Sequence, residues 1–175
     1  MHIELTKYKE SKPHYLKMVT WRVLNFWLFP LLPNVLRLAL LRLFGAKIGR
    51  QCLVKGLAKF YAPWNFTCGD AVCIGPRVEV YNKAPVVIGS RVVISQDAYL
   101  CTASHDPCSR TMDLVTKPIA IGDDVWLAAK TAVMPGVTVE EGTVVAACSV
   151  VTHDTKAWTI VGGHPAVFLK ERKVR

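Results

Sequence analysis

One histidine stands out by its neighbours. His105 is followed directly by Asp106 in the stretch Ile94–Asp106 (ISQDAYLCTASHD), and Asp97 and Asp113 each lie eight residues from it, one on either side. An imidazole with an unperturbed pKa of about 6.5 takes up and returns a proton efficiently near neutral pH, the chemistry of a general base acting on a hydroxyl. Such a base works better when an acceptor holds its other ring nitrogen. Asp106, Asp97 and Asp113 are all candidates for that acceptor, and an adjacent Asp also forms local Asx turns. The histidines that follow, His153 and His164, are too far along the chain to make a closely spaced zinc pair with it.

The frame that positions this histidine is a six-residue period. Ile121, Leu127, Val133, Val139, Val145 and Val151 place an aliphatic residue at every sixth position. Four positions after each comes a small or β-branched residue: Val125, Thr131, Val137, Thr143, Ser149 and Thr155. The pattern recurs upstream at Ile88, Ile94 and Leu100, at Cys68, Ile74 and Val80, and more weakly at Ile48 and Val54. Six is neither the helical period nor strand alternation, so it signals a stacked repeat. Each unit reads as one short strand and one turn, with the aliphatic residue inward and the small residue at the tight bend. Stacked coils then bury an apolar column that no single unit could bury alone.

The phase slips near Phe66–Cys68 and across Lys83–Val87, and a longer break from Asp106 to Ala120 separates two continuous blocks. In a solenoid such a break is a loop thrown out from one face, a common place for function. His105 sits at its root. The divisions expected are an N-terminal helical segment over 1–46, a β-helix over 47–157 carrying the loop 106–120, and a C-terminal tail over 158–175. The two end segments are expected to cover the open ends of the solenoid.

The repeat resembles that of the bacterial hexapeptide acyltransferases over roughly residues 44–172. Four stretches resemble the sugar O-acetyltransferases among them, of colanic-acid, nodulation and maltose type: Ile94–Asp106, Pro118–Trp126 (PIAIGDDVW), Val133–Val137 (VMPGV) and Val161–Ala166 (VGGHPA). The resemblance implies an all-β fold, a left-handed parallel β-helix with three repeats per coil, assembled as a homotrimer. It implies acetyl transfer from acetyl-CoA to a sugar or glycan hydroxyl in polysaccharide or glycoconjugate biosynthesis, with no metal. His105 then falls at the place of the catalytic base, with Asp106 beside it, and Asn82 near polar residues that meet the acceptor. Ala129 and Ala147 match small positions along the pantetheine, and Trp126 matches an aromatic wall of the site. Thr152, His153 and Lys170 fall where the nucleotide end of the cofactor is met; His153 stands in place of the usual lysine, and Lys170, Arg172 and Lys173 are the cations that can replace it.

Composition bounds the alternatives. Of 175 residues, 51% are hydrophobic and 20% charged, a folding composition that fits one domain. The net charge of +9 is concentrated at the ends: +7 over residues 1–50, −2 over 51–155 and +4 over 156–175. No zinc-finger, RNP or helix-turn-helix pattern accompanies it, so nucleic acid is not the expected partner. The six cysteines show no C-x-x-C pair and read as reduced thiols of a cytoplasmic protein. From Val19 to Phe44 the chain is strongly apolar, but its longest uncharged run has 14 residues and Pro30 and Pro33 interrupt it, too short for a membrane span. Two helices are expected, roughly 14–29 and 34–44. Their apolar faces pack on the protein or a neighbouring subunit, or Trp21, Phe26, Trp27 and Phe29 lie on the inner face of the cytoplasmic membrane. A non-catalytic β-helix scaffold, or an acyltransferase acting on a non-sugar acceptor such as serine, stands as the alternative function.

Overall fold

The computed structural model describes residues 12–174, with side chains from Tyr15 onward. The chain forms a left-handed parallel β-helix of five complete coils and the start of a sixth, triangular in section, with three parallel sheets as its faces. Face one stacks Lys47–Ile48, Phe66–Cys68, Val86–Ile88, Ile119–Ile121 and Thr138–Val139. Face two runs from Leu53–Val54 to Val144–Val145 and is extended by Thr159–Gly163; face three runs from Lys59–Phe60 to Val150–Val151.

The register shows what the period of six does. On face two Val54, Ile74, Ile94, Leu127, Val145 and Val161 are paired in one column. On face three the column is Phe60, Val80, Leu100, Val133 and Val151. All of these side chains are buried, each contributing about 1.5–3 kcal/mol relative to an exposed position. The interior is a stack of aliphatic layers with the spacing of hydrogen-bonded strands, about 4.8 Å.

The bends lie one residue earlier than the sequence suggests. Non-glycine residues with φ between 55° and 66° stand three positions after the inward aliphatic: Gln51, Leu57, Ala71, Arg77, Arg91, Asp97, Asp124, Lys130 and Cys148. The small or β-branched residue next to each is buried beneath the corner, as with Val78, Val92, Val125 and Thr131. It is small because it fills the inside of the corner. The left-handed conformation at its neighbour, unfavourable for an L-residue by about 1–2 kcal/mol, is held by the ladders on both sides. At the first corner Gly49, Gly69, Gly89 and Gly122 stack so closely that a Cβ on Gly89 would stand 2.8 Å from the Asp123 amide nitrogen.

Corner charges repeat with the coil. Arg50 pairs with Asp70 and Arg77 with Asp97, each one coil above, and Arg91 reaches both Asp123 and Asp124 across the long loop. The guanidiniums hold Asp97 and Asp124 below the usual carboxylate range by hydrogen bonding, Arg77 on the first and Arg91 on the second. Asp70 is held low chiefly by the Arg50 amide and then by its guanidinium.

Both ends are covered. Helix α1 (Lys12–Trp27), a 3-10 turn at Phe29–Leu31 and helix α2 (Asn34–Leu43) lie over the first coil. Trp21 and Phe29 are fully buried there, the Trp21 indole donates to the Phe60 carbonyl at 2.6 Å, and the Phe29, Phe60 and Phe66 rings meet edge to face. Phe26 and Trp27, by contrast, are exposed. Side chains of α2 satisfy the bare strand edges: Asn34 bonds the Cys52 carbonyl and the Val54 amide, Arg37 the Val54 carbonyl, and Arg42 the carbonyls of Ile48 and Gly49. At the far end Ala166–Glu171 folds back antiparallel on Thr159–Gly163, closing the edge of face two. The Asp154 carboxylate and the Thr155 hydroxyl accept from the Thr138 and Glu140 amides on face one. All six cysteines are free, Cys52, Cys68 and Cys101 buried, with the Cys68 thiol pushed up to about 12 chiefly by burial.

Candidate active site

The break in the repeat is a two-stranded antiparallel arm. Ala103–His105 pairs with Leu114–Thr116 at the third corner of the third coil, and the chain then re-enters the solenoid in register, Ile119 against Val86. His105 ends the first strand, opposite Leu114, and its ring is exposed. Nδ1 lies 2.5 Å from the Met112 carbonyl oxygen. A carbonyl only accepts, so Nδ1 carries the hydrogen and the lone pair of the neutral ring is on Nε2.

The loop from 106 to 113 is built to hold that carbonyl. Met112 has φ 51°, a left-handed conformation that turns its peptide toward the histidine. The Asp113 carboxylate accepts from the Ser109 hydroxyl at 2.8 Å and the Thr111 hydroxyl at 2.7 Å, while the Asp106 amide donates to the Asp113 carbonyl. Asp106 itself does not hold the imidazole. Its carboxylate accepts from the Cys108 amide at 2.9 Å, an Asx turn. Asp106 follows the strand and lines the same pocket as His105, but its carboxylate is turned to the loop backbone and not to the ring. Of the other candidates, Asp97 is taken by Arg77, and Asp113 acts on the ring through the backbone.

Beside the ring lies a pocket of about 310 Å³ lined by Ser104, His105, Asp106, Pro107, Val115, Lys117 and Pro135. Pro135 comes from the corner of the next coil, and the Lys117 stem lies over Gly136. Lys117 and the Met112 carbonyl have no signature in the sequence: one is a lone lysine, the other a backbone atom.

The remaining expected residues divide among the edges of the prism. Thr152 and His153 lie on the same edge as His105, two coils further on, the Thr152 hydroxyl 2.9 Å from His153 Nδ1. Ala129 and Ala147 occupy a different edge, the second corner of successive coils, where the Cys148 amide donates to the Ala129 carbonyl at 2.9 Å. Trp126 points outward from face two, 46% exposed, its indole donating to Ser95 Oγ at 3.0 Å. Lys170 is exposed on the antiparallel return strand. Arg172 is committed elsewhere, its guanidinium donating to the Asp124 and Gly142 carbonyls. Within one chain, then, the histidine and the two alanines stand at separate corners.

Asn82 is a correction. It is 0% exposed, its carboxamide accepting from the Ala62 amide at 2.9 Å and donating to the Ala62 carbonyl at 2.7 Å. It replaces a missing strand pairing where the chain steps between coils, so it holds the backbone and does not face an acceptor. Among the described residues no group of three or more His, Cys, Asp or Glu is placed to hold a metal ion.

A family model described as bacterial transferase hexapeptide, with six repeats, matches residues 118–153. WcaF of Escherichia coli K12, assigned as a colanic acid biosynthesis acetyltransferase, is 41% identical over 160 residues, spanning 90% of this chain and 88% of that protein. The chain belongs to the hexapeptide-repeat acetyltransferase family, and it is an acetyltransferase. The hexapeptide-repeat acetyltransferase VCA0836 of Vibrio cholerae shares 30% identity, with a TM-score of 0.87 over 94% of this chain and 95% of that one. A second structure of that protein, in complex with acetyl coenzyme A, matches with a TM-score of 0.86 over 94% and 91% of the two chains. A maltose O-acetyltransferase of Clostridium difficile 630 shares the fold, with a TM-score of 0.80 at 20% identity over 94% and 90%.

Proposed function

We propose that this protein transfers acetyl from acetyl-CoA to a hydroxyl of a sugar within a polysaccharide or glycoconjugate, with His105 as general base. The observation that carries this reading is the bond from His105 Nδ1 to the Met112 carbonyl, which leaves Nε2 free to act in the pocket. Nε2 takes the hydroxyl proton as the oxygen attacks the thioester carbonyl. The tetrahedral intermediate collapses with loss of the coenzyme A thiolate, and the proton on Nε2 passes to the sulfur. The acetyl group ends as an ester and the base is restored.

The separation of corners supports a homotrimer in this reading. A neighbouring copy brings its Ala129 and Ala147 edge alongside the His105 arm, so that coenzyme A lies between subunits. Small side chains at those positions let the pantetheine approach the backbone, and Trp126 forms part of the wall. Thr152, His153 and Lys170 meet the nucleotide end. The sugar acceptor is favoured by the relationship to WcaF.

The test is transfer of label from radiolabelled acetyl-CoA to a panel of sugars and lipid-linked sugar intermediates, with His105→Ala alongside. Transfer by the native protein, and its loss in a folded variant, is the expected result. Binding of acetyl-CoA with undiminished transfer by the variant would refute the role of His105, and no binding at all would refute the donor.

A further inference from the structure

The cap over the first coil is apolar on both sides. On α1, Met18 and Trp21 face the solenoid, while Leu16, Val19, Val23 and Trp27 follow one another at helical spacing on the opposite side and are exposed, Trp27 at 71%. Phe26, also exposed, meets the Trp27 ring edge to face at 5.0 Å. On α2 Leu38 and Leu41 are buried against the first coil, yet the outer side is apolar as well. Arg37 and Arg42 reach the carbonyls of the first coil, and Val35, Ala39 and Leu43, at i, i+4 and i+8, face outward, Leu43 at 78% exposure. A helix docked on a protein carries its charges on the side away from the core. The outer side of α2 carries none.

The charge around this surface has one sign. From Ser11 to Gly69 the sequence has nine Lys and Arg and no Asp or Glu. Lys47, Lys55 and Lys59, spread around the first coil, are exposed beside the cap. At the other end, residues 119–175 hold six acids against six Lys and Arg. The solenoid therefore has a cationic, apolar-faced end and a far end of balanced charge.

We propose that the outer faces of α1 and α2 form a docking surface for an anionic phospholipid bilayer. The apolar stripes enter the boundary between headgroups and acyl chains, and the surrounding lysines meet lipid phosphates. A second copy docked cap to cap would oppose two acid-free cationic surfaces, an arrangement that like charge disfavours. None of the described helices is long and apolar enough to cross a membrane, so the protein lies on the surface. The arm on the third coil then stands about 20 Å from the headgroups, from two coil spacings and one helix layer. An acceptor carried on a membrane lipid would be presented to it there; that consequence rests on the acetyl-transfer reading, and the docking does not.

The experiment is sedimentation of the full chain with vesicles of phosphatidylcholine alone and of phosphatidylcholine mixed with phosphatidylglycerol. Binding to the mixed vesicles, release by raised salt, and quenching of Trp27 fluorescence by brominated lipid are expected. Val35→Glu/Leu43→Glu and Lys55→Glu/Lys59→Glu should each weaken binding at least about tenfold, with oligomeric mass and acetyl transfer to a water-soluble acceptor unchanged. Failure to bind either vesicle overturns the proposal. So does a Val35→Glu/Leu43→Glu variant whose oligomer falls apart, since the face is then an interface between copies. Acetyl transfer is read separately, so its absence leaves the docking result standing.

Discussion

The His105 imidazole is held by Met112, a residue seven positions away whose side chain takes no part: the bond runs from Nδ1 to the backbone carbonyl. The tautomer of the proposed base is therefore set by the shape of a loop. Removing the ring in His105→Ala is expected to lower kcat by about 10²- to 10⁴-fold, the range for losing a general base. Thermal unfolding should be little changed, because the ring is exposed.

Asp113 acts on the proposed base at one remove. Its carboxylate collects the Ser109 and Thr111 hydroxyls and so shapes the turn that presents the Met112 carbonyl. Asp113→Ala is expected to reduce kcat by about 10- to 100-fold, as for a misplacement of about 1 Å. KM for acetyl-CoA should be nearly unchanged. Asp106→Ala removes an Asx turn at the pocket wall and leaves the Met112 carbonyl in place, so it should cost less. Steady-state kinetics of the two variants, with kcat and KM read separately, separates these outcomes.

Asn82→Ala tests a structural role against a binding one. The substitution strands the Ala62 amide and carbonyl in a buried site, at about 1–3 kcal/mol for each unsatisfied group. Chemical denaturation should show a loss of about 2–5 kcal/mol. KM for the acceptor, measured in the folded fraction, should stay within about twofold, since the side chain is sealed from solvent.

Gly89→Ala should be costly where a surface Gly→Ala change is mild. Its Cβ would collide with the Asp123 backbone of the next coil, and that backbone belongs to a ladder that cannot shift alone. Overpacking of this kind destabilises by about 1–3 kcal/mol, which differential scanning calorimetry would detect.

The corner ion pairs make stability depend on pH. Asp70, Asp97 and Asp124 have folded pKa values below their unfolded ones, near 3.9. Their contribution is complete above that value and is lost as pH falls through the folded pKa values. Melting temperature should drop as pH is lowered below about 4, and by less in Asp97→Asn/Arg77→Gln, which lacks one pair. Raised salt should shrink the difference, because the pairs are solvent-exposed.

The aliphatic residue at every sixth position is a property of the chain alone, and it was enough to give the stacked coils, the inward columns and the place of the long loop, while the left-handed β-helix followed from the family resemblance. Burial of a repeating apolar residue is local to each unit, so the pattern survives in one dimension. The exposed position of His105 at the root of the arm was legible for the same reason: it stands where the period breaks. Its partner was not. Three carboxylates within reach in sequence suggested an acid, whereas an antiparallel arm and a left-handed residue brought up a backbone carbonyl, and carbonyls leave no mark in residue type. Asn82 and Arg172 misled in the same way, polar groups that the sequence offers to a ligand but that tertiary structure spends on the chain's own backbone. The outward stripes of α1 and α2 lay in the sequence as plain apolar helices. Only the packing of Met18, Trp21, Leu38 and Leu41 on the first coil, with Arg37 and Arg42 on its carbonyls, decided which side faced in, because burial depends on what each apolar side meets and not on its own residue types.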